Sequence, residues 1–390
     1  MTQIARLERW MIDRLADALR VGLEEAERLA RRRSVVRVMR WRDITYFSLR
    51  KDYRDYREGT LIAVWPDGYR IVPGYPSIQR VLLPSVALPR HFIDKVVVEE
   101  KMNGYNVRVV MLRGRLAAIT RGGLICPYTT ARIERLYGEK LKELFREEGE
   151  ELIVAGEVVG LENPYVRFYY PEAGGFAYFV FDMSIGTRFL PPMKRRELAE
   201  KYGLPHVPVL GVIDKNDMGS FKKIIDDLER RGREGVVLKD PEYRVPALKY
   251  TTSFINVHDL EVGMRYPFEE GKSYLFSRIL REMFKALEEG WDDRRLLAEE
   301  ERLGKAILEP AIESIKRVAQ GHMLYEEFEL LFGSRSELDE FLEYMASLGI
   351  DVIVAGVSQT NEGIRARIRK VKNSWYEIKR ILETGLSPID

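Results

Sequence analysis

The 390-residue sequence predicts an α+β fold of mostly antiparallel sheets with a separate helical block. Two observations predict it. Up to about residue 250, β-rich segments at 152–159, 176–183 and 234–239 alternate with helical ones at 130–148, 193–202 and 217–232. Residues 273–346 are then dominated by Leu, Glu, Arg, Ala and Lys, all good helix formers.

In chain order, Leu7, Met11, Leu15, Leu19 and Leu23 recur every fourth residue and predict one amphipathic helix over residues 4–33. Arg28, Arg31, Arg32, Arg33, Arg37, Arg40 and Arg42 follow with no acid among them. They read either as a phosphate-backbone footprint or as a solvated helix end. Short runs at Ile44–Ser48, Thr60–Trp65 and Tyr69–Val72, the last two joined by Pro66-Asp67-Gly68, predict a small β element. Pro73, Pro76, Pro84 and Pro89 mark a seam. A hairpin spans Tyr105–Leu112 and Arg115–Thr120 around Arg113-Gly114. The helical block is expected to break near Gly290, Gly304, Pro310 and Gly333. Asp351–Val357 and Ile364–Val371 read as strands, and Trp375–Glu383 as a final helix.

Composition narrows the classes. Sixty-three basic and 61 acidic side chains nearly cancel, so any nucleic-acid surface must be local. One cysteine, Cys126, excludes an intramolecular disulfide framework, and four scattered histidines offer no zinc spacing. No apolar run reaches the roughly 18–20 residues of a membrane span. A cytoplasmic protein is the expectation, and the high charge with little cysteine suits a heat-adapted source.

The chemistry is expected around Val97-Val98-Glu99-Glu100-Lys101-Met102-Asn103-Gly104-Tyr105-Asn106. Lys101 is the only lysine with glycine at +3. The apolar strand behind it would desolvate the amine toward a useful nucleophile, and the turn glycine would admit a phosphate or ribose. Taken alone, the pattern also suits a solvated charge on a hairpin. Arg121 opens Arg-Gly-Gly after a strand, where a guanidinium could hold phosphate. Glu157 interrupts the apolar run Leu152–Val159 and calls for a sugar hydroxyl, a cation or a metal-bound water. Phe179 and Phe181 offer a face for a base, against the alternative of ordinary core packing. Glu234 and Lys239 bracket the apolar Gly-Val-Val-Leu, and Lys249 closes Pro-Ala-Leu-Lys.

Together, Lys101-Met-Asn-Gly, Arg121-Gly, Gly156-Glu157, Tyr178-Phe-Val-Phe181-Asp, Glu234-Gly-Val-Val-Leu-Lys239 and Lys249 resemble the motif series of covalent nucleotidyltransferases, the polynucleotide ligases and capping enzymes. Over nearly the whole length the chain is similar to archaeal homodimeric ATP-dependent RNA ligases. That resemblance implies an N-terminal β-containing module (1–90), a ligase-type nucleotidyltransferase catalytic domain (91–252), a helical dimerisation region (253–316) and a small α/β C-terminal domain (317–390). It implies that Lys101 attacks the ATP α-phosphate to give lysyl-AMP, that AMP passes to a 5′-phosphate RNA end, and that a 3′-hydroxyl displaces it, in circles or linear products. By the same resemblance Glu99 helps read adenine, Asn106 and Arg121 contact ribose or phosphates, and Glu157 takes the ribose hydroxyls. Phe181 is the adenine platform, and Lys239 and Lys249 contact the α-phosphate. Glu234, with Glu157, holds Mg²⁺, for which Mn²⁺ is an expected substitute.

Three departures bear on these roles. DNA ligases and capping enzymes usually carry aspartate and arginine where Asn103 and Asn106 stand, and Asn106 resembles the RNA-ligase form. Ala247 stands where the last motif often has a second lysine, so the second cation must come from Lys239 or elsewhere. The stretch after Tyr250 reads as helical where those enzymes continue into a five-stranded OB domain. A single-stranded DNA ligase and an RNA-binding protein on a degenerate scaffold are the alternatives.

Overall fold

A computed structural model describes residues 7–387. The chain begins with two helices, α1 (Arg9–Leu19) and α2 (Leu23–Arg31), where one was expected; residues 4–6 of the expected helix lie outside the described residues. The break follows from Arg20, which takes a left-handed conformation and ends α1. Met11, Leu15 and Leu19 still form one buried stripe, while Leu23 is exposed. Four antiparallel strands follow in a meander: β1 (Val36–Trp41), β2 (Ile44–Leu49), β3 (Leu61–Trp65) and β4 (Gly68–Val72). β1 runs through the arginine stretch, which is therefore divided among a helix, a turn and a strand.

Next come β5 (Gln79–Arg80), α3 (Pro84–His91), β6 (Lys95–Lys101), β7 (Tyr105–Leu112), β8 (Arg115–Thr120), α4 (Pro127–Glu148), β9 (Leu152–Val159), β10 (Ala177–Ile185), β11 (Arg188–Phe189), α5 (Pro192–Lys201), β12 (Val209–Asp214), α6 (Met218–Arg230), β13 (Gly235–Lys239) and β14 (Leu248–Thr251). The remainder is α7 (Ser253–Arg265), α8 (Lys272–Glu289), α9 (Asp293–Ala319), β15 (Tyr325–Phe332), α10 (Arg335–Ser347), β16 (Val352–Thr360), β17 (Gly363–Val371) and α11 (Asn373–Thr384). The α+β expectation holds, with several sheets; in the N-terminal meander and the two five-stranded sheets the strand pairs are antiparallel except β14 beside β5.

Two differences lie in the helical block. α9 continues through Gly304 and Pro310, capped at its start by the Asp292 side chain on the Arg295 N–H. Its length and its buried Ala306, Ser314 and Val318 offset the missing donor of one proline. Tyr325–Phe332 is a strand despite its Glu and Leu content. Phe328, Leu330 and Phe332 alternate into the core, a period-2 pattern that tertiary packing favours over local propensity.

The described residues divide into two compact units. The first comprises the residues up to Ser77, Gly104–His206 and Phe328–Ile368; the second comprises Ile78–Asn103, Val207–Glu327 and the residues from Arg369. In the first, the five-stranded sheet β11-β10-β9-β7-β8 buries Val107, Val109 and Val154 in one core with Ile133, Leu141 and Phe145 of α4. In the second, the sheet β12-β6-β13-β14-β5 buries Val96, Val98, Val236 and Leu238 with Phe221, Ile225 and Leu228 of α6. A buried polar network ties α7 and α8 to this second sheet. Arg281 Nη1 donates to Thr251 Oγ1 (3.1 Å) and Asn256 Oδ1 (2.5 Å), and Glu282 accepts from Ser253 Oγ (2.7 Å) and Asn256 Nδ2 (2.6 Å).

Candidate active site

In the second unit, strand periodicity divides β6 chemically. Val96 and Val98 face the core, so Val97, Glu99 and Lys101 project from the opposite face. Register extends that face across the sheet: Glu99 stands opposite Val237, Val237 opposite Lys249, and Lys249 beside Arg80. Lys101 is opposite Gly235, and Lys239 opposite Val97. The pairing of charges differs from the order of the motifs. Glu234 does not pair with Lys239 at the far end of its own strand; its Oε1 accepts from Lys101 Nζ at 2.6 Å. Lys239 Nζ forms an ion pair with Glu99 Oε2 at 2.7 Å, with both side chains only 1% exposed. Burial raises the pKa of Glu234, while Lys101 opposes the shift. The second oxygen of Glu234, Oε2, is enclosed and meets no donor among the described residues, which fits a divalent cation.

The first unit carries the remaining residues on β7, β9 and β10. Asn106 stands opposite Glu157, and Glu157 opposite Phe179, giving one cross-strand row. Phe181 occupies a bulge between Val180 and Asp182, which re-aims it relative to its neighbours. Its ring meets Tyr75 edge to face at 5.3 Å, and Tyr75 donates to Asp182 Oδ2 at 2.5 Å. Asn106 Oδ1 is enclosed and meets no donor among the described residues. Arg121 lies in the turn after β8, donates to Ser77 Oγ at 3.1 Å, and lines an open cavity of about 380 Å³ with Arg57, Tyr75 and Asp52.

Two glycines of the motifs are required by close approach. A Cβ on Gly104 would stand 2.1 Å from the Val158 carbonyl oxygen, so this glycine seats the turn against β9. It was expected to admit a phosphate or ribose, and the tight neighbour it has here is protein backbone. A Cβ on Gly156 would meet the Tyr178 ring at 2.4 Å. Tyr178 crosses that position to donate to the Val154 carbonyl at 2.8 Å, which explains why glycine precedes Glu157.

A family profile described as RNA ligase matches residues 94–251, and one described as Ligase Pab1020 C-terminal region matches residues 262–385. A solved structure titled archaeal ATP-dependent RNA ligase is 36% identical, with 96% of this chain and 99% of that one covered and a TM-score of 0.88. The chain belongs to the archaeal ATP-dependent RNA ligase family. An uncharacterized protein of Methanocaldococcus jannaschii is 36% identical over 375 residues, 93% of each chain. A putative ATP-dependent DNA ligase from Aquifex aeolicus is 30% identical, covering 93% of this chain and 99% of its own, with a TM-score of 0.82.

Within this RNA ligase family member, a further cation that the motifs did not reveal stands on the same sheet face. Arg80 lies beside Lys249 on the face that carries Lys101. Burial, with Arg278 adding to it, brings its guanidinium down to about 10, against the pull of Glu234 and Asp259. Its only sequence signal is an arginine opening the apolar Val81-Leu82-Leu83. Among the described residues, no three His, Cys, Asp or Glu side chains converge on a metal-sized site, and no helix is long and apolar enough to cross a membrane. A magnesium ion carried largely by phosphate and water needs no such cluster.

Proposed function

We propose that this chain joins RNA ends in an ATP-dependent reaction through a covalent adenylate on Lys101. The Lys101–Glu234 pair carries the reading. Lys101, 23% exposed, has to release a proton to solvent before its lone pair can attack, and Glu234 holds Nζ in place for that step. The Nζ–P bond then forms as the α-phosphate bond to pyrophosphate breaks. AMP next passes to a 5′-phosphate, and a 3′-hydroxyl displaces it to leave a phosphodiester. Glu234 would hold Mg²⁺, which supplies charge compensation at the phosphates when bound. Lys249 would contact the α-phosphate, while Lys239 fixes Glu99 for adenine recognition and adds positive charge to the same face. Phe181 would support the adenine; Glu157 and Asn106 would take the ribose hydroxyls, and Arg121 a phosphate.

Incubation with α-labelled ATP and Mg²⁺ tests the covalent step. Acid-labile AMP should appear on the wild type and not on Lys101→Ala. A wild type that takes up no label and carries no AMP by intact mass would remove the ligase reading in favour of RNA binding alone.

The similarity to the Aquifex aeolicus protein keeps a DNA-joining reading in view. Matched RNA and DNA 5′-phosphate strands in competition decide between them, and preferential RNA joining is expected. The helical region would pair two copies. Phe276, Met283 and Leu287 on α8 and Leu308, Ile312 and Ile315 on α9 are exposed, the last three at i, i+4, i+7 spacing. Light scattering should give twice the chain mass for the wild type and a smaller mass for Leu308→Glu/Ile312→Glu.

A further inference from the structure

Arg80 poses a problem of unmet charge. Its Nη1 is enclosed and meets no acceptor among the described residues. A second guanidinium, that of Arg278, lies within electrostatic reach, and two cations gain nothing from such proximity unless an anion joins them. Arg278 is itself fixed. It stacks over the Tyr274 ring at 3.3 Å, and its Nε and Nη2 both donate to Asp259 Oδ2, at 2.9 and 2.7 Å. Asp259 is thereby engaged, and Glu234 gives one oxygen to Lys101. Neither carboxylate is hydrogen-bonded to Arg80.

We propose that Arg80 seats the β- and γ-phosphates of ATP and so holds the pyrophosphate that leaves when Lys101 attacks. This deepens the ligase reading and rests on it. Three observations carry it. Arg80 shares a sheet face with Lys101 and a register position with Lys249, so the cations for the α-phosphate and for the leaving group line one surface. Lys239, buried on that face, is committed to Glu99. The leaving group gains charge as the Nζ–P bond forms, and a planar guanidinium with a free, desolvated donor suits two or more phosphoryl oxygens. Asp259, Tyr274 and Arg278 belong to α7 and α8, so the stretch expected to serve dimerisation also carries charges that act on Arg80.

A 5′-phosphate of RNA offers the same oxygens, and the test separates the two sources. Arg80→Met and Arg80→Lys would be compared with wild type in lysyl-AMP formation from ATP, in ATP resynthesis from lysyl-AMP and pyrophosphate, and in sealing of RNA already adenylated at its 5′ end. Arg80→Met should lose about a hundredfold or more in the two pyrophosphate-linked steps and less than about threefold in sealing, which involves no pyrophosphate; Arg80→Lys should recover part of the loss. A loss confined to sealing would assign the site to RNA, and equal losses in all three assays, with the thermal midpoint unchanged, would assign it to the adenylate they share; either overturns the proposal. So would Arg80→Met adenylylation at the wild-type rate. A wild type that forms no lysyl-AMP fails the underlying ligase reading instead.

Discussion

Lys239 Nζ lies 2.7 Å from Glu99 Oε2, and neither side chain is more than 1% exposed. Such a pair gains little over an apolar one but costs much to break from one side, because the remaining charge is stranded without solvent. Lys239→Met should therefore destabilise the protein by about 3–5 kcal/mol. Pairing it with Glu99→Gln should recover part of the loss. Urea unfolding of the four proteins of the cycle measures the coupling, and strictly additive losses would contradict it.

Arg108 makes a second prediction, about architecture. Its side chain is buried, and burial brings the guanidinium down to about 9, still charged at neutral pH. It donates to the Pro73 carbonyl and, at 2.9 Å each, to the carbonyls of Gly59 and Thr120. Arg108→Met would remove three hydrogen bonds, though the Thr120 carbonyl keeps the Gly123 N–H. A loss of about 3 kcal/mol or more is expected in urea unfolding, with Arg108→Lys recovering less than half. A Met variant within about 1 kcal/mol of wild type would mean that water replaces the guanidinium.

The residues that announced themselves in the sequence did so through local contrast. Glu157 interrupts an apolar strand, Lys101 precedes a tight turn, and Glu234 opens a β-rich run; each was visible within ten residues. β1 was obscured because its arginines drew attention from the alternation of Val36 and Val38. Arg80 was obscured for a different reason: its place depends on the parallel pairing of β5 with β14, which joins distant parts of the chain and leaves no periodic trace. The partners of Glu234 and Lys239 were equally hidden, since each pairs across to β6 and not along β13.

Glu282 supplies a pH test in the network between α7 and α8. Burial raises its pKa above the ordinary carboxylate value, opposed by hydrogen bonds from Asn256 and Ser253 and by Lys285 and Arg302. Between the unfolded and folded values, the folded chain holds a proton that the unfolded chain has lost, so stability falls as pH rises through that window. Wild type should thus gain on Glu282→Gln as pH drops from 7 toward the usual carboxylate range. The gain should level off below that range. Urea midpoints of both proteins across the window check it, and a wild type that loses relative to Glu282→Gln on acidification would refute the assignment.

Asn106 and Glu157 form a cross-strand pair whose expected ligand can be edited directly. Asn106 Oδ1 is an enclosed acceptor without a donor among the described residues, so a ribose hydroxyl would satisfy it. Asn106→Ala should lower the efficiency of lysyl-AMP formation with ATP by roughly tenfold, the worth of one well-placed hydrogen bond in an enclosed site. Wild type should lose a similar factor with 2′-deoxy-ATP or 3′-deoxy-ATP, whichever lacks the recognised hydroxyl. Asn106→Ala should then be nearly indifferent to that same deletion, because its partner is already gone. Glu157→Gln should show the complementary sensitivity to the other hydroxyl. If Asn106→Ala instead loses a further tenfold with both analogues, the residue acts on the phosphates, and the ribose assignment passes to Glu157 alone.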